Sequence, residues 1–148
     1  SFAAEASVQT LCPADFGFHN AKRRPDGELV FIDFDYFGWD DPVKLTADFL
    51  LHPGMSLSDA LKRQFAAEAT GIYGSDRSFS RRLALLYPLF SLRWCTILLN
   101  EFLPERWANR LAAGEAADWA SAKQRQLDRA RDWAHSLRVN FRRFPYGE

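Results

Sequence analysis

Apolar positions along the chain change their period once, near residue 42. Before it, short runs rich in β-branched and aromatic residues are separated by turn signals. Glu28 to Tyr36 carries Leu29, Val30, Phe31, Ile32, Phe34 and Tyr36, a composition that suits a pleated strand. Pro25-Asp26-Gly27 precedes it and predicts a turn, because Pro presets φ and Gly accepts a positive φ. His19–Arg24 and Glu28–Phe34 are therefore expected to pair as a β-hairpin. After Pro42 the apolar residues recur at three and four. Val43, Leu45, Thr46, Phe49 and Leu50 predict a helix that Pro53-Gly54 ends. Ser56, with Asp59 three residues on, is the expected N-cap of a second helix through Leu57, Leu61, Phe65 and Ala69 to Gly71. Gly71-Ile72-Tyr73-Gly74 is the expected turn after it. A third helix is expected from Ser75 or Asp76 to Phe102, kinked at Pro88. It is apolar nearly all round, which marks it as the central helix of the core.

Pro104 opens a short helix, Glu105 to Ala113, closed by Gly114. The last helix is predicted from Glu115 to Arg138, with a stripe of Ala116, Trp119, Leu127, Ala130, Trp133, Ala134 and Leu137. Its tryptophans, Trp119 and Trp133, are expected to dock on the core. A tail of Phe141, Phe144 and Tyr146 is expected to fold back onto the domain. The fold class is α+β, a catalytic loop and hairpin followed by about five helices.

Composition narrows the classes. The chain has 148 residues, 47% hydrophobic, with five Trp and thirteen Phe, enough for one substantial core and incompatible with a disordered chain. Lys plus Arg equal Asp plus Glu at 19 each, which disfavours a nucleic-acid partner. The balance hides an asymmetry. Residues 1–75 hold eleven acidic and six basic side chains, and residues 76–148 hold eight acidic and thirteen basic. Complementary docking of solvated faces accounts for this, as does a gathering of carboxylates around a metal in the first half. Cys12 and Cys95 have no metal-ligand spacing and are expected to be buried free thiols in a reducing compartment. The segment from Ser1 shows no secretory signal. Leu83–Leu99, with Pro88 and Arg93 inside it, is too short and too polar for an expected membrane span. A cytoplasmic protein with no membrane partner is expected.

Two clusters carry chemistry. One is Asp15-Phe16-Gly17-Phe18-His19-Asn20, just before the hairpin, and the other is Ile32-Asp33-Phe34-Asp35 at its end. In a strand, residues two apart share a face, so Asp33 and Asp35 are expected on one side and Ile32 and Phe34 toward the core. Adjacent carboxylates on one face invite a hard, oxygen-seeking ion such as Mg²⁺. The hairpin returns Asp33 to the neighbourhood of Asn20, a neutral oxygen ligand. Asp15 on the preceding loop is a proton acceptor within reach of the same ion. Asp40 and Asp41 precede Pro42 where the helix dipole favours acids, and Asp40 is the expected cap. His52 and His135 read as ordinary surface or helix-end histidines.

Asp15 followed by Asn20, a hairpin, Ile32-Asp33-Phe34-Asp35, and then Asp41-Pro42 with Asp48 resembles the aminoglycoside phosphotransferase and choline kinase-like family, which shares the protein-kinase fold. The resemblance covers most of the chain as that fold's C-terminal lobe, residues 1–148, with a catalytic segment 1–41 and a helical substrate-binding subdomain 42–148. It implies a nucleotide-covering N-terminal lobe ahead of this chain. It implies ATP as co-substrate and Mg²⁺ as cofactor, with Asp15 as the base for a substrate hydroxyl and Asn20 and Asp33 holding the metal on the phosphates. Asp35 would be a secondary metal residue. The acceptor would be a sugar, amino sugar or amino alcohol, with Tyr73, Tyr87, Trp94 and Trp107 available to stack on it or to cage a cation. Two departures stand out. Pro13 occupies the place of the family's loop His, and Gly17 the place where many members carry a second His. They motivate an alternative, a kinase-like binding or regulatory module without turnover. A helical interaction domain that uses the last helix is a third reading.

Overall fold

The computed structural model describes residues 8–114 and 118–147. Two antiparallel pairs make the β part. The strands are β1 (Thr10–Cys12), β2 (Ala21–Arg23), β3 (Leu29–Phe31) and β4 (Gly38–Asp40). β2 pairs with β3 in the register Ala21↔Phe31, Lys22↔Val30, Arg23↔Leu29, and β1 pairs with β4 with Leu11 opposite Trp39. The helices are α1 (Pro42–Leu51), α2 (Asp59–Ile72), α3 (Phe79–Leu98), α4 (Pro104–Ala112) and α5 (Trp119–Asn140). Short 3-10 turns cover Phe18–Asn20 and Leu99–Phe102. The fold is mixed α+β and mostly helical.

The hairpin forms where Pro25-Asp26-Gly27 predicts it. Gly27 has φ 91°, Arg24 N–H donates to Glu28 O at 2.8 Å, and Glu28 N–H donates to Asp26 Oδ1 at 3.0 Å. Its second strand is shorter than expected. Regular pairing stops at Phe31, Ile32 N–H makes one further bond to Asn20 O at 2.9 Å, and Asp33 turns into the left-handed region with φ 65°. Asn20 belongs to a 3-10 turn, so Asp33 has no extended partner to pair with, and Asp is among the residues that tolerate this conformation. The alternation of faces at residues 32–35 is lost. Ile32 and Phe34 are exposed rather than turned to the core, and Asp35 sits in a turn closed by Phe37 N–H to Phe34 O at 3.0 Å.

α1 begins as its Pro predicts, but Asp41 is the cap rather than Asp40: its Oδ1 accepts Val43 N–H at 2.9 Å. Asp40, at the end of β4, and Asp48 on α1 instead flank Lys44 at 3.2 and 3.5 Å. α2 starts two residues later than expected. Ser58 Oγ accepts Leu61 N–H at 3.3 Å, whereas Ser56 lies at φ 48° and cannot open a helix. The expected turn at residues 71–74 shrinks because α2 continues through Ile72. α3 starts after Asp76, whose Oδ1 accepts Ser78 N–H at 2.8 Å. Only one face of α3 is buried, through Phe79, Leu83, Tyr87, Trp94, Cys95 and Leu98, while Leu85, Leu89 and Leu92 are exposed. By length and composition alone, the run Phe79–Phe102 is long and apolar enough to cross a membrane, a test that the core helix of a soluble protein also passes. The last helix starts at Asp118, its N-cap. The expected start at Glu115 and the stripe residue Ala116 lie outside the described residues.

The chain divides into two compact units: the described residues of Ser1–Phe90 with Arg143–Glu148, and those of Ser91–Arg142. In the first, α1, α2 and the start of α3 enclose Val43, Ala47, Phe49, Leu50, Ala66, Ala69, Phe79 and Leu83. The aromatic tail returns to it as expected. Phe144 and Tyr146 meet Tyr87 edge-on at 5.1 and 6.2 Å, and Arg63 donates to Pro145 O at 3.1 Å. Phe141 stays exposed. In the second unit, both α5 tryptophans are tied down. Trp119 Nε1 donates to Glu101 O at 2.8 Å and Trp133 Nε1 to Ser91 Oγ at 2.6 Å.

Arg82 on α3 clamps the first unit by bonding Asp41 at the head of α1 and Asp76 at 2.5 Å. The hydroxyl hydrogen bond from Ser78 holds the Asp76 carboxyl below its ordinary range; burial opposes the shift, and Arg82 reinforces it. A carboxylate depressed in the folded state contributes stability above its unfolded pKa and loses it as pH falls through the folded value. Wild-type protein is therefore expected to lose stability relative to Asp76→Asn as pH falls below about 4. Urea midpoints of both proteins between pH 3 and 6 check this. A constant difference across that range removes Asp76 from the acid response.

Candidate functional site

Four phenylalanines position the loop that carries Asp15. Phe16 packs on Phe31 of β3 at 4.8 Å and on Phe49 of α1 at 5.7 Å, and Phe18 meets Phe49 edge-on at 5.9 Å. Phe49 in turn stacks on Phe65 of α2 at 3.7 Å. Alternate residues of the loop thus point into the joint between hairpin and helices. The residues before and after them, Asp15 and His19, are left exposed.

Gly17 lets this loop close. A Cβ there would lie 2.7 Å from the His19 ring and from Met55 Sδ, so no larger residue fits without displacing both. The loop is further tied by Asn20 N–H to Gly17 O at 3.0 Å and by Phe18 N–H to Met55 Sδ at 3.4 Å.

Asp15 and Asn20 are brought into direct contact. Asn20 Nδ2 donates to Asp15 O at 2.9 Å and to Asp15 Oδ2 at 3.3 Å. The amide nitrogen faces Asp15, so the Asn20 Oδ1 available to a cation lies on the other side of the amide group. The Ile32 N–H bond to Asn20 O sets Asp33 next in chain to the Asn20 backbone. Asp35 is carried away in its turn. Asn20 and Asp33 offer hard oxygen donors suited to Mg²⁺.

The carboxyl and imidazole groups that cluster most closely are a different set. Asp15, His19 and His52 bring one ligand atom each within 4.8 Å of one another. His19 Nε2 lies 3.1 Å from Asp15 Oδ1 and His52 Nε2 lies 3.9 Å from the same oxygen. The two imidazoles stack at 3.8 Å with an interplanar angle of 4°. Residue numbers give no hint of this. His52 caps the C-terminal end of α1, one helical turn beyond Phe49 and on the same face, so the contacts that seat the loop on Phe49 bring His19 onto His52. An (i, i+3) pair of Phe49 and His52 facing a loop with Phe18 and His19 is the only signal the sequence offers.

His52 is held below its ordinary pKa, first by burial and then by His19, with Asp15 and Asp48 opposing the shift. Gly54 N–H donates to His52 Nδ1 at 3.1 Å. In the neutral ring the proton then sits on Nε2, which faces Asp15. The Asp15 carboxylate remains 54% exposed, open to a reactant despite these contacts.

No protein family, curated protein or solved structure matches this chain.

The aromatics considered for substrate stacking are engaged in packing. Tyr87 and Trp94 are buried, Tyr73 tilts against Phe79 at 5.2 Å, and Trp107 stacks on Trp119 at 5.9 Å. Both cysteines are free and buried as expected. Burial, aided by Asp40, pushes the Cys12 thiol up to about 11, so it is no nucleophile at neutral pH.

Proposed function

We propose that this chain carries the base and the metal-holding residues of an ATP-dependent phosphotransferase that acts on a hydroxyl group of a small molecule, in a kinase-like C-terminal lobe. The observation that carries the reading is the Asp15–Asn20 pair, with Asn20 bonded both to the Asp15 side chain and, through its carbonyl, to the strand end that precedes Asp33. A general base and a phosphate-bound cation must lie within a few ångströms of one reacting oxygen, and a hairpin that joins Asn20 back to Asp33 meets that need.

In this reading Asp15 accepts the proton of the acceptor hydroxyl as its oxygen attacks the γ-phosphorus, and the bond to the leaving ADP oxygen breaks. Asn20 Oδ1 and the Asp33 carboxylate would hold Mg²⁺, which neutralises charge on the phosphates when bound. Asn20 also fixes the Asp15 backbone and one carboxylate oxygen, so the base meets the hydroxyl without reorienting. The two buried thiols agree with a reducing, cytoplasmic setting.

The deciding experiment uses the full-length protein. Phosphate transfer from ATP is followed over a panel of amino sugars, neutral sugars and amino alcohols, with and without Mg²⁺. Transfer to at least one acceptor that stops when Mg²⁺ is chelated supports the reading. A protein that binds Mg²⁺ and ATP yet transfers to none of the panel supports the regulatory module suggested by Pro13. Failure to bind either ligand removes the assignment of these residues altogether.

A further inference from the structure

The group formed by Asp15, His19 and His52 has two possible chemistries, and the ring geometry separates them. A metal bound by both imidazoles at Nε2 needs two lone pairs that converge on one point. The rings are instead parallel to within 4°, so their in-plane Nε2 directions cannot converge without breaking the stack. A metal-bound histidine also carries its remaining proton on the other nitrogen, usually as a donor. At His52 that nitrogen, Nδ1, accepts the Gly54 N–H. The proton therefore belongs on Nε2, where it is a donor toward carboxylate rather than a lone pair for a cation.

We propose that His52 is a positioning residue for Asp15. It stacks on His19, whose Nε2 makes the hydrogen bond to Asp15 Oδ1, while Asn20 holds Oδ2. His19 makes the direct hydrogen bond, at 3.1 Å. His52, at 3.9 Å from the same oxygen, is too far for a full bond. It acts chiefly by fixing the plane of the His19 ring. His52 is itself immobilised through Gly54 and by its place at the end of α1. The base is thereby held from both sides, and one carboxylate edge stays open to solvent. The arrangement gives the loop, which has Pro13 where the resembling family has its loop His, a brace supplied from a distant helix end. The catalytic meaning of the brace rests on the phosphotransferase reading; the contact itself does not.

Two substitutions and one spectrum test it in the full-length protein. His52→Phe keeps an aromatic ring against His19 but has no N–H, and His52→Gln keeps an N–H donor near the Nε2 position without the ring. The expected result is a kcat within about threefold of wild type for His52→Phe, which keeps the stack, and a fall of about 10–100-fold for His52→Gln, which loses it, with KM for ATP nearly unchanged in both. Wild-type kcat in His52→Gln would overturn the role of the stack, and so would equal losses in both variants. Long-range ¹H–¹⁵N spectra of ¹⁵N-histidine-labelled protein provide the reading that needs no activity. His52 is expected in the Nε2–H form, and Asp15→Asn is expected to move the Nε2 resonances of His19 and His52 while leaving those of His135 in place. An Nδ1–H form of His52, or Nε2 resonances indifferent to Asp15→Asn, overturns the proposal. If the spectra behave as expected but the wild-type protein transfers no phosphate, the brace stands and the phosphotransferase reading falls.

Discussion

Replacing Asp15 by Asn in the full-length protein is expected to lower kcat for phosphoryl transfer by about 10³-fold, within the range that loss of a general base produces. The substitution is close to isosteric. The Asn20 bond to the backbone oxygen of residue 15 does not involve the side chain and survives it. The amide oxygen can still accept from His19 or from Asn20. What disappears is the capacity to take a proton from the hydroxyl. KM for ATP is therefore expected to change by less than about threefold, because an interaction made only in the transition state lowers kcat and kcat/KM together. Steady-state kinetics on whichever acceptor the panel identifies measure both. An Asp15→Asn protein within tenfold of wild type would mean that the carboxylate does no proton transfer and that Asp15 serves the loop alone.

The largest expected loss of stability comes from Phe79→Ala. Phe79 is 1% exposed at the start of α3, and its ring tilts against Tyr73 at the end of α2. Truncating a buried Phe removes its transfer free energy and leaves a cavity, at a combined cost of about 3–5 kcal/mol. The cavity would lie one helical turn from Leu83, itself 1% exposed on the same face of α3, so little surrounding surface is free to collapse into it. A domain with the usual marginal stability of about 5–15 kcal/mol would lose a large share of it. Urea unfolding is expected to show a lower midpoint at unchanged m-value. A loss below about 1 kcal/mol would show that the site refills and that the α2–α3 joint is more plastic than its burial indicates.

Local signals carried much of the fold. Pro25-Asp26-Gly27 specifies the hairpin because the turn's dihedral preferences reside in those three residues. Pro42 and Pro104 mark helix starts because a missing N–H costs nothing at a first turn. Where two local signals competed, the sequence was ambiguous. Ser56 and Ser58 both suit an N-cap, and Asp40 and Asp41 likewise; the backbone conformation chose Ser58 and Asp41. An all-round apolar pattern such as that of α3 identifies a long apolar helix but not which side is covered. Leu83 is buried and Leu85 exposed for reasons that lie in the elements packed against them.

The candidate site divides in the same way. Asn20 and Asp33 were legible because they lie at the two ends of one hairpin, and pairing across a short turn is local physics; Asp15 was legible as a carboxylate on the loop just before it. The Asp33–Asp35 face was not, because alternation holds only while a strand has a partner, and pairing stops before Asp33. His52 was not legible either. Its approach to Asp15 depends on Phe16 and Phe18 seating the loop on Phe49 of α1, a side-chain contact between segments far apart in sequence. By itself, the sequence determined the α+β class, the hairpin and the order of the helices, all of which follow from dihedral preferences and periods a few residues long. Only the tertiary structure decided which helix face is covered, where the strand ends and which imidazoles face the carboxylate, because those outcomes depend on burying apolar rings contributed by separate elements.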